Sequence, residues 1–137
     1  DVGRVPTEAE WNYAASGGDE QRPYPWKTTA EGPLITAEHA NYSAVSPIAV
    51  GSKPTGNGRW GQADLAGNVG EWTLDFSAAY SETCNDCVNL TPSAERSQRG
   101  GYFDTPYAEV LFASLHASLE PSERLAIIGF RCARDFE

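Results

Sequence analysis

The chain has 137 residues, 40% apolar and 11% aromatic, with 13 Gly and 9 Pro. This allows one domain with a core, and it points to a loop-rich fold and away from a helical bundle. A net charge of −9 with no basic run argues against nucleic acid and suits solubility and cation binding. No stretch reaches the roughly 18 apolar residues of a membrane span, and no signal peptide is visible.

Taken in order, Arg4 to Gly18 holds the clearest element. Thr7 and Glu10 form a T-x-x-E capping box, in which each side chain satisfies a backbone N–H at a helix start. Ala9, Trp11, Ala14 and Ala15 continue a helix from about Thr7 to Ser16, and Gly17 and Gly18 stop it. By itself the helix carries no chemistry. Residues 21–58 read as irregular, broken by Pro23, Pro25, Pro33, Pro47 and Pro54, with rigid aromatic packing at Tyr24-Pro25-Trp26. Ile48 to Val50 reads as a short strand and Gly56-Asn57-Gly58 as a turn. Asn41-Tyr42-Ser43 and Asn89-Leu90-Thr91 match a glycosylation acceptor, a triplet common by chance.

Asp64-Leu65-Ala66-Gly67-Asn68-Val69-Gly70-Glu71-Trp72-Thr73 is too polar for a core strand and too rich in Gly for a helix. Asp64, Asn68, Glu71 and the intervening carbonyls could supply the oxygens a hard cation wants. The plain alternative is a tight loop with a capping acid. Trp72 reads as the anchor that pins the loop to a core. Glu71 to Phe76 leaves as a strand, and Ser77 to Ser97 is a polar loop.

Cys84-Asn85-Asp86-Cys87 supplies half a tetrahedral zinc site at most and lacks the surroundings of a redox motif. It is a local disulfide if the protein is exported and a thiol pair if it is not. Gln98 to Phe103 reads as a strand start whose glycines allow close backbone approach. Val110 to Leu119 fits helix and strand equally, Pro121 ends it, and Ile127 to Ala133 reads as a buried closing strand.

Three blocks carry a family resemblance. Arg4-Val5-Pro6-Thr7-Glu8-Ala9-Glu10-Trp11 resembles the R-L-P-T-E-A-E-W block of the formylglycine-generating enzymes, or sulfatase-modifying factors. Leu65 to Trp72 resembles their L-G-N-V-W-E-W block. The third, Arg99-Gly100-Gly101 followed at a distance by Gly129-Phe130-Arg131-Cys132-Ala133-Arg134, resembles their spaced R-G-G-S-W and G-F-R-C-A-R. The resemblance implies an α+β fold, the loop-rich variant of the C-type-lectin-like fold with short twisted strands. It also implies that residues 1–137 are the C-terminal portion of a longer domain, whose remainder another chain could supply.

The same resemblance frames the site. In family enzymes a cysteine pair after R-G-G binds copper and activates oxygen. Counted on from Gly101, those places fall on Thr105 and Val110, which cannot hold soft Cu(I). The oxidase chemistry is therefore expected to be lost. Copper on Cys84 and Cys87 is a remote alternative, since those thiols sit on a different loop. Cys132 takes the family's terminal cysteine; the partner place is Ala15, so a buried, unpaired thiol is expected.

The family's calcium site carries over as the Asp64 carboxylate, the Gly67 and Val69 carbonyls and the Glu71 carboxylate, with Asn68 bonding the loop from within. Gly70 stands where the family has Trp. A second family calcium site would need an acid that is missing before Gly58, so it is not expected. Tyr102, Phe103, Tyr107, Phe112 and His116 outline a ligand groove, with Phe112 and His116 in the places of family arginines. His116 reads as a structural or surface residue and His39 as a solvated loop residue. Nucleophilic hydrolysis and phosphate binding lack motifs.

Three readings follow. The first is a non-oxidase family member, a calcium-stabilised, lectin-like module binding a ligand or protein. The second is a family enzyme with an altered or partner-completed centre. The third is a ligand-display protein of the kind diversified by retroelements.

Overall fold

The computed structural model describes residues 3–26, 35–80, 84 and 86–134. It contains one α-helix, α1 (Glu8–Ser16), and four strands: β1 (Gly70–Phe76), β2 (Arg96–Arg99), β3 (His116–Leu119) and β4 (Ile128–Gly129). The sheet order is β3-β2-β1-β4. β1 pairs antiparallel with β2 through Glu71 opposite Arg99, and β4 lies parallel on the far side of β1. β3 completes the other edge, with Arg99 opposite His116. The chain ends meet where Arg4 and Ala133 exchange backbone hydrogen bonds of 2.9 and 2.7 Å. Among the described residues no helix is long and apolar enough to cross a membrane.

α1 forms as its residues dictate. The Thr7 side chain accepts from the Glu10 N–H, the Glu10 carboxylate accepts from the Thr7 N–H, and Gly17 closes the helix at φ 68°. Arg4 adds a two-pronged pair to Glu10, with both contacts at 2.6 Å. The helix packs on the sheet through Trp11 and Ala15, which join Leu65 and Ala113 in one core cluster. A second cluster gathers Tyr24, Ile35, Ala40, Ala66 and Leu111, with Trp26, Tyr42 and Phe112 against it.

The burial pattern of β1 inverts the expectation for Trp72. Glu71, Thr73 and Asp75 are buried, while Trp72, Leu74 and Phe76 are only half-buried. The buried face is polar because it meets polar groups on α1 and β2. Glu71 accepts from the Trp11 indole, Thr73 donates to the Ser97 carbonyl, and Asp75 accepts from the Glu8 N–H. Trp11, at 2% exposure, is the anchor that Trp72 is not.

Other boundaries shift for local reasons. Gln98 and Arg99 end a strand instead of starting one, because Gly100 (φ 98°) and Gly101 (φ 69°) turn the chain into a conformation that L side chains resist. Residues 110–119 divide between a short 3₁₀ turn, Ala108–Leu111, and β3. Ile48 to Val50 is not a strand; its Ile48 N–H and C=O bond the Asn68 side chain instead. Only Ile128 and Gly129 of the closing stretch pair as strand. Phe130 is 68% exposed and Cys132 is free and exposed, so neither is buried as expected. His39 stacks on Trp26 with ring centres 4.9 Å apart, so it is packed rather than simply solvated. Pro33 and part of the 77–97 loop lie outside the described residues.

Gly70 shows how the missing tryptophan is accommodated. A Cβ there would lie 2.4 Å from Gln98 Oε1 and 2.6 Å from a Tyr102 ring carbon. The side chains of β2 and of the turn after it fill that space.

Replacing Thr7 with Ala should cost about 1 kcal/mol, read by denaturant melts. Arg4 holds the Glu10 carboxyl at about 2, against an ordinary 4.5, despite the opposing effect of partial burial. A carboxyl depressed in the fold stabilises it above the ordinary value and loses that contribution as pH falls through the folded value. Thermal melts should therefore fall between about pH 5 and pH 2, and Glu10→Gln should flatten that fall.

Candidate functional site

The 64–71 loop is held by the protein's own groups. Asp64, at φ 54°, accepts the Gly51 N–H through Oδ2 at 2.7 Å. Gly67 N–H donates to the Gly100 carbonyl at 2.7 Å. Asn68 is 3% exposed; it bonds the backbone of Ile48 and accepts the Asn41 amide, tying the loop from within. Glu71 spends both carboxylate oxygens on Arg131, at 2.5 Å each, and Oε2 also accepts the Trp11 indole N–H at 2.6 Å. Arg131 also donates to the Ala63 carbonyl at 3.0 Å.

As they stand, these residues do not fit a calcium ion. A cation at the Glu71 carboxylate would face a guanidinium already paired there. Among the described residues no three His, Cys, Asp or Glu side chains gather as a metal site. The arginine supplies the positive charge that binds the loop to the chain end.

The five groove residues differ in exposure and in what they touch. Phe103 is buried, and Phe112 is half-buried against Tyr24 with ring centres 4.9 Å apart. Tyr107 is exposed, and the Tyr102 hydroxyl meets the Gln98 amide. His116 is stacked on Tyr80 with ring centres 5.0 Å apart. Thr105 and Val110, the places of the copper pair, sit in the turns around Tyr107. Cys84 and Cys87 form a disulfide.

The structure instead builds a site between α1, the start of the 77–95 loop and the sheet. A cavity of about 770 Å³ opens there, with Glu8, Asn12, Tyr80, Arg99 and Ser114 on its wall. The disulfide lines its outer side. At the polar end, Arg99 donates through Nε to Glu8 Oε1 at 2.9 Å and through Nη2 to the Tyr80 hydroxyl at 2.9 Å. The Tyr80 hydroxyl donates to Glu8 Oε1 at 2.5 Å. His116 Nδ1 lies 3.0 Å from that oxygen and 2.5 Å from the Tyr80 hydroxyl. Arg99 Nη1 reaches the carbonyls of Ala113 and Leu115 and the Asn12 side chain.

The charges at this end are settled by their neighbours. Burial alone would raise the Glu8 carboxyl. The Tyr80 hydroxyl, the Arg99 charge, His116 and Ser97 outweigh it and hold the group below the ordinary carboxylate value. Glu8 is therefore ionised at neutral pH. Tyr80 is pushed up, first by burial and then by its bond to Glu8, against the pull of Arg99, so its phenol keeps its proton. The cavity thus ends in a fixed carboxylate, a fixed guanidinium and one neutral hydroxyl between them.

Sequence reasoning misses this cluster. Tyr80 falls in the polar loop, and His116 reads as a groove residue or a structural or surface histidine, with nothing linking either to Glu8 or Arg99. The available signal is Arg99, a charged residue directly before two glycines that turn the chain, where a long side chain is forced inward. Both N-x-S/T triplets are also committed internally: Asn41 is 9% exposed, and the Asn89 amide donates to the Phe76 carbonyl.

A helix clamped by a buried ion pair to a small sheet, with long loops around it, is the C-type-lectin-like fold in the form used by formylglycine-generating enzymes. The chain belongs to the family of the sulfatase-modifying factor enzyme 1-like domain, whose sequence model matches residues 3–136. It is 32% identical to a formylglycine-generating enzyme of Streptomyces coelicolor over 150 residues, covering 96% of this chain and 46% of that protein. Among solved structures it is similar to PvdO from Pseudomonas aeruginosa, at a TM-score of 0.82 and 26% identity over 98% of this chain and 53% of that one. It is also similar to Treponema denticola variable protein 1, at a TM-score of 0.77 and 27% identity over 93% and 46%. The chain spans about half the length of the curated formylglycine-generating enzymes it matches.

Removing the Arg131 guanidinium leaves a buried carboxylate facing an indole. Arg131→Met should cost about 3 kcal/mol in a denaturant melt, at the low end for a broken buried pair because Arg131 is partly exposed. In the unaltered protein, chelator followed by added calcium should leave the melting temperature unchanged. A reversible rise with calcium would return Glu71 to a metal.

Proposed function

We propose that this chain is a non-oxidase member of its family, a module that binds a ligand in the cavity over the Glu8–Arg99 pair. The observation that carries the reading is that cavity. Its volume of about 770 Å³ suits a drug-sized molecule or a short peptide segment, and its wall combines small apolar side chains with a few fixed polar groups. Glu8 and Arg99 are held in place by α1 and β2, so binding requires little reorganisation of the polar end.

Loss of oxidase chemistry is supported by the chain itself. It has three cysteines, none of them at 105 or 110, and two are joined to each other. Thiolate ligands for Cu(I) at the family position are therefore missing from these residues. Loop stability in this reading comes from Arg131 and Asn68.

Two measurements test the reading. With copper, oxygen and a cysteine-containing sulfatase peptide, the purified protein should consume no oxygen above the rate of the free metal; turnover would overturn the non-oxidase claim. Ligands found by a fragment screen should lose at least tenfold in affinity in Ser114→Trp, which fills the cavity, and keep it in Tyr107→Ala. The reverse pattern would move the site to the face around Tyr107.

A further inference from the structure

We propose that the polar end of the cavity takes the hydroxyl of a para-hydroxyphenyl group, free or on a tyrosine side chain, and that Tyr80 is its internal stand-in. The proposal rests on the cavity being the ligand site.

The place now held by the Tyr80 oxygen has unusual requirements. On one side, 2.5 Å away, is Glu8 Oε1, which accepts from this oxygen as well as from Arg99 Nε. On the other, 2.9 Å away, is Arg99 Nη2, a donor that needs a lone pair. A carboxylate there would oppose Glu8 with like charge, and an ammonium would oppose Arg99. An ether has no hydrogen for Glu8. A hydroxyl both donates and accepts, so it satisfies both neighbours. His116 sets the shape of what carries that hydroxyl. Its ring stacks on the Tyr80 ring at 25° between planes, and Nδ1 also reaches the oxygen at 2.5 Å. An aromatic ring bearing the hydroxyl fits both contacts.

Tyr80 is weakly tied otherwise. Its residue is 61% exposed, and it leads from β1 into the loop through Ala78 and Ala79, which line the cavity with little bulk. Its holds are the hydroxyl and the stack on His116. An incoming phenol would remake every hydrogen bond that Tyr80 gives up, so the exchange leaves no buried partner of Glu8 or Arg99 unsatisfied. The ligand's ring would then take the stacking place on His116, with the rest of the ligand in the open volume toward Asn12 and Ser114.

The test uses the unaltered chain and follows its backbone and His116 ring signals by NMR. The probes are 4-methylphenol, 4-methylanisole and 4-methylbenzoate. The phenol should bind about tenfold or more tightly than either analogue, the scale of one buried hydrogen bond. It should shift the Tyr80 amide and the His116 ring. Equal affinity for the three would overturn the proposal. So would shifts confined to Asn12 and Ser114, although the cavity reading would then survive. Failure of these probes and of a broad fragment set to move any cavity signal would remove both.

Tyr80→Ala should tighten 4-methylphenol about tenfold and leave 4-methylanisole unchanged. If that variant does not fold, the series on the unaltered chain decides. N-acetyltyrosinamide compared with 4-methylphenol separates the sources. Tighter binding of the amide supports a tyrosine-bearing peptide, and tighter binding of the phenol supports a free small molecule.

Discussion

The pair of Glu8 and Arg99 is the interaction on which this structure turns. The Arg99 side chain is 4% exposed and that of Glu8 is 9% exposed. Arg99 joins the first turn of α1 to the last residue of β2 and to the chain leading into β3. Water is largely excluded, so an unpaired partner would be a buried charge, worth several kcal/mol against the fold. That cost forces the helix start, the end of β2 and the 113–115 turn into one arrangement. Trp11 continues the link. Its indole bonds Glu71, its ring lies 5.9 Å from the Arg99 guanidinium, and Glu71 in turn holds Arg131 near the chain end. Two acid–arginine pairs bracket one tryptophan, and the short strands lie between them.

This construction explains why β1 buries acids and leaves its aromatics only half-buried. The strand does not sit on an oily layer. It faces a helix whose first turn presents a backbone N–H and a carboxylate and whose next turn presents an indole N–H. Glu71 and Asp75 find partners on that helix, and Thr73 finds one on β2. In a domain with so little regular structure, such directed bonds fix register where apolar packing alone would leave it loose.

The parts of the fold that can be read from the chain are those decided within a few residues. The capping box needs only Thr7 and Glu10, and the β1 strand only its own alternation. The three family blocks carry the fold because their glycines and aromatics recur in order. The site is decided at long range, and for that reason it is hidden. Residues 8, 80, 99 and 116 come from a helix, a loop and two strands, and each alone resembles a solvated side chain. The 64–71 stretch shows the same limit. Its acids and carbonyls lie close together in sequence, but the charge that satisfies Glu71 in the fold comes from Arg131, sixty residues away. The closing stretch differs too: Ile127 to Ala133 has the pattern of a core strand, yet only Ile128 and Gly129 form strand, Ala133 makes an isolated bridge to Arg4, and Phe130 stays exposed.

The central claim is that the cavity over Glu8 and Arg99 is where this module meets its ligand. Chemical-shift mapping of a fragment library on the isotope-labelled protein tests it most directly. The account predicts that perturbations from the binding fragments converge on Asn12, Tyr80, Arg99, Ser114 and His116. Convergence on Tyr102 to Tyr107, or on Asp64 to Glu71, would contradict it.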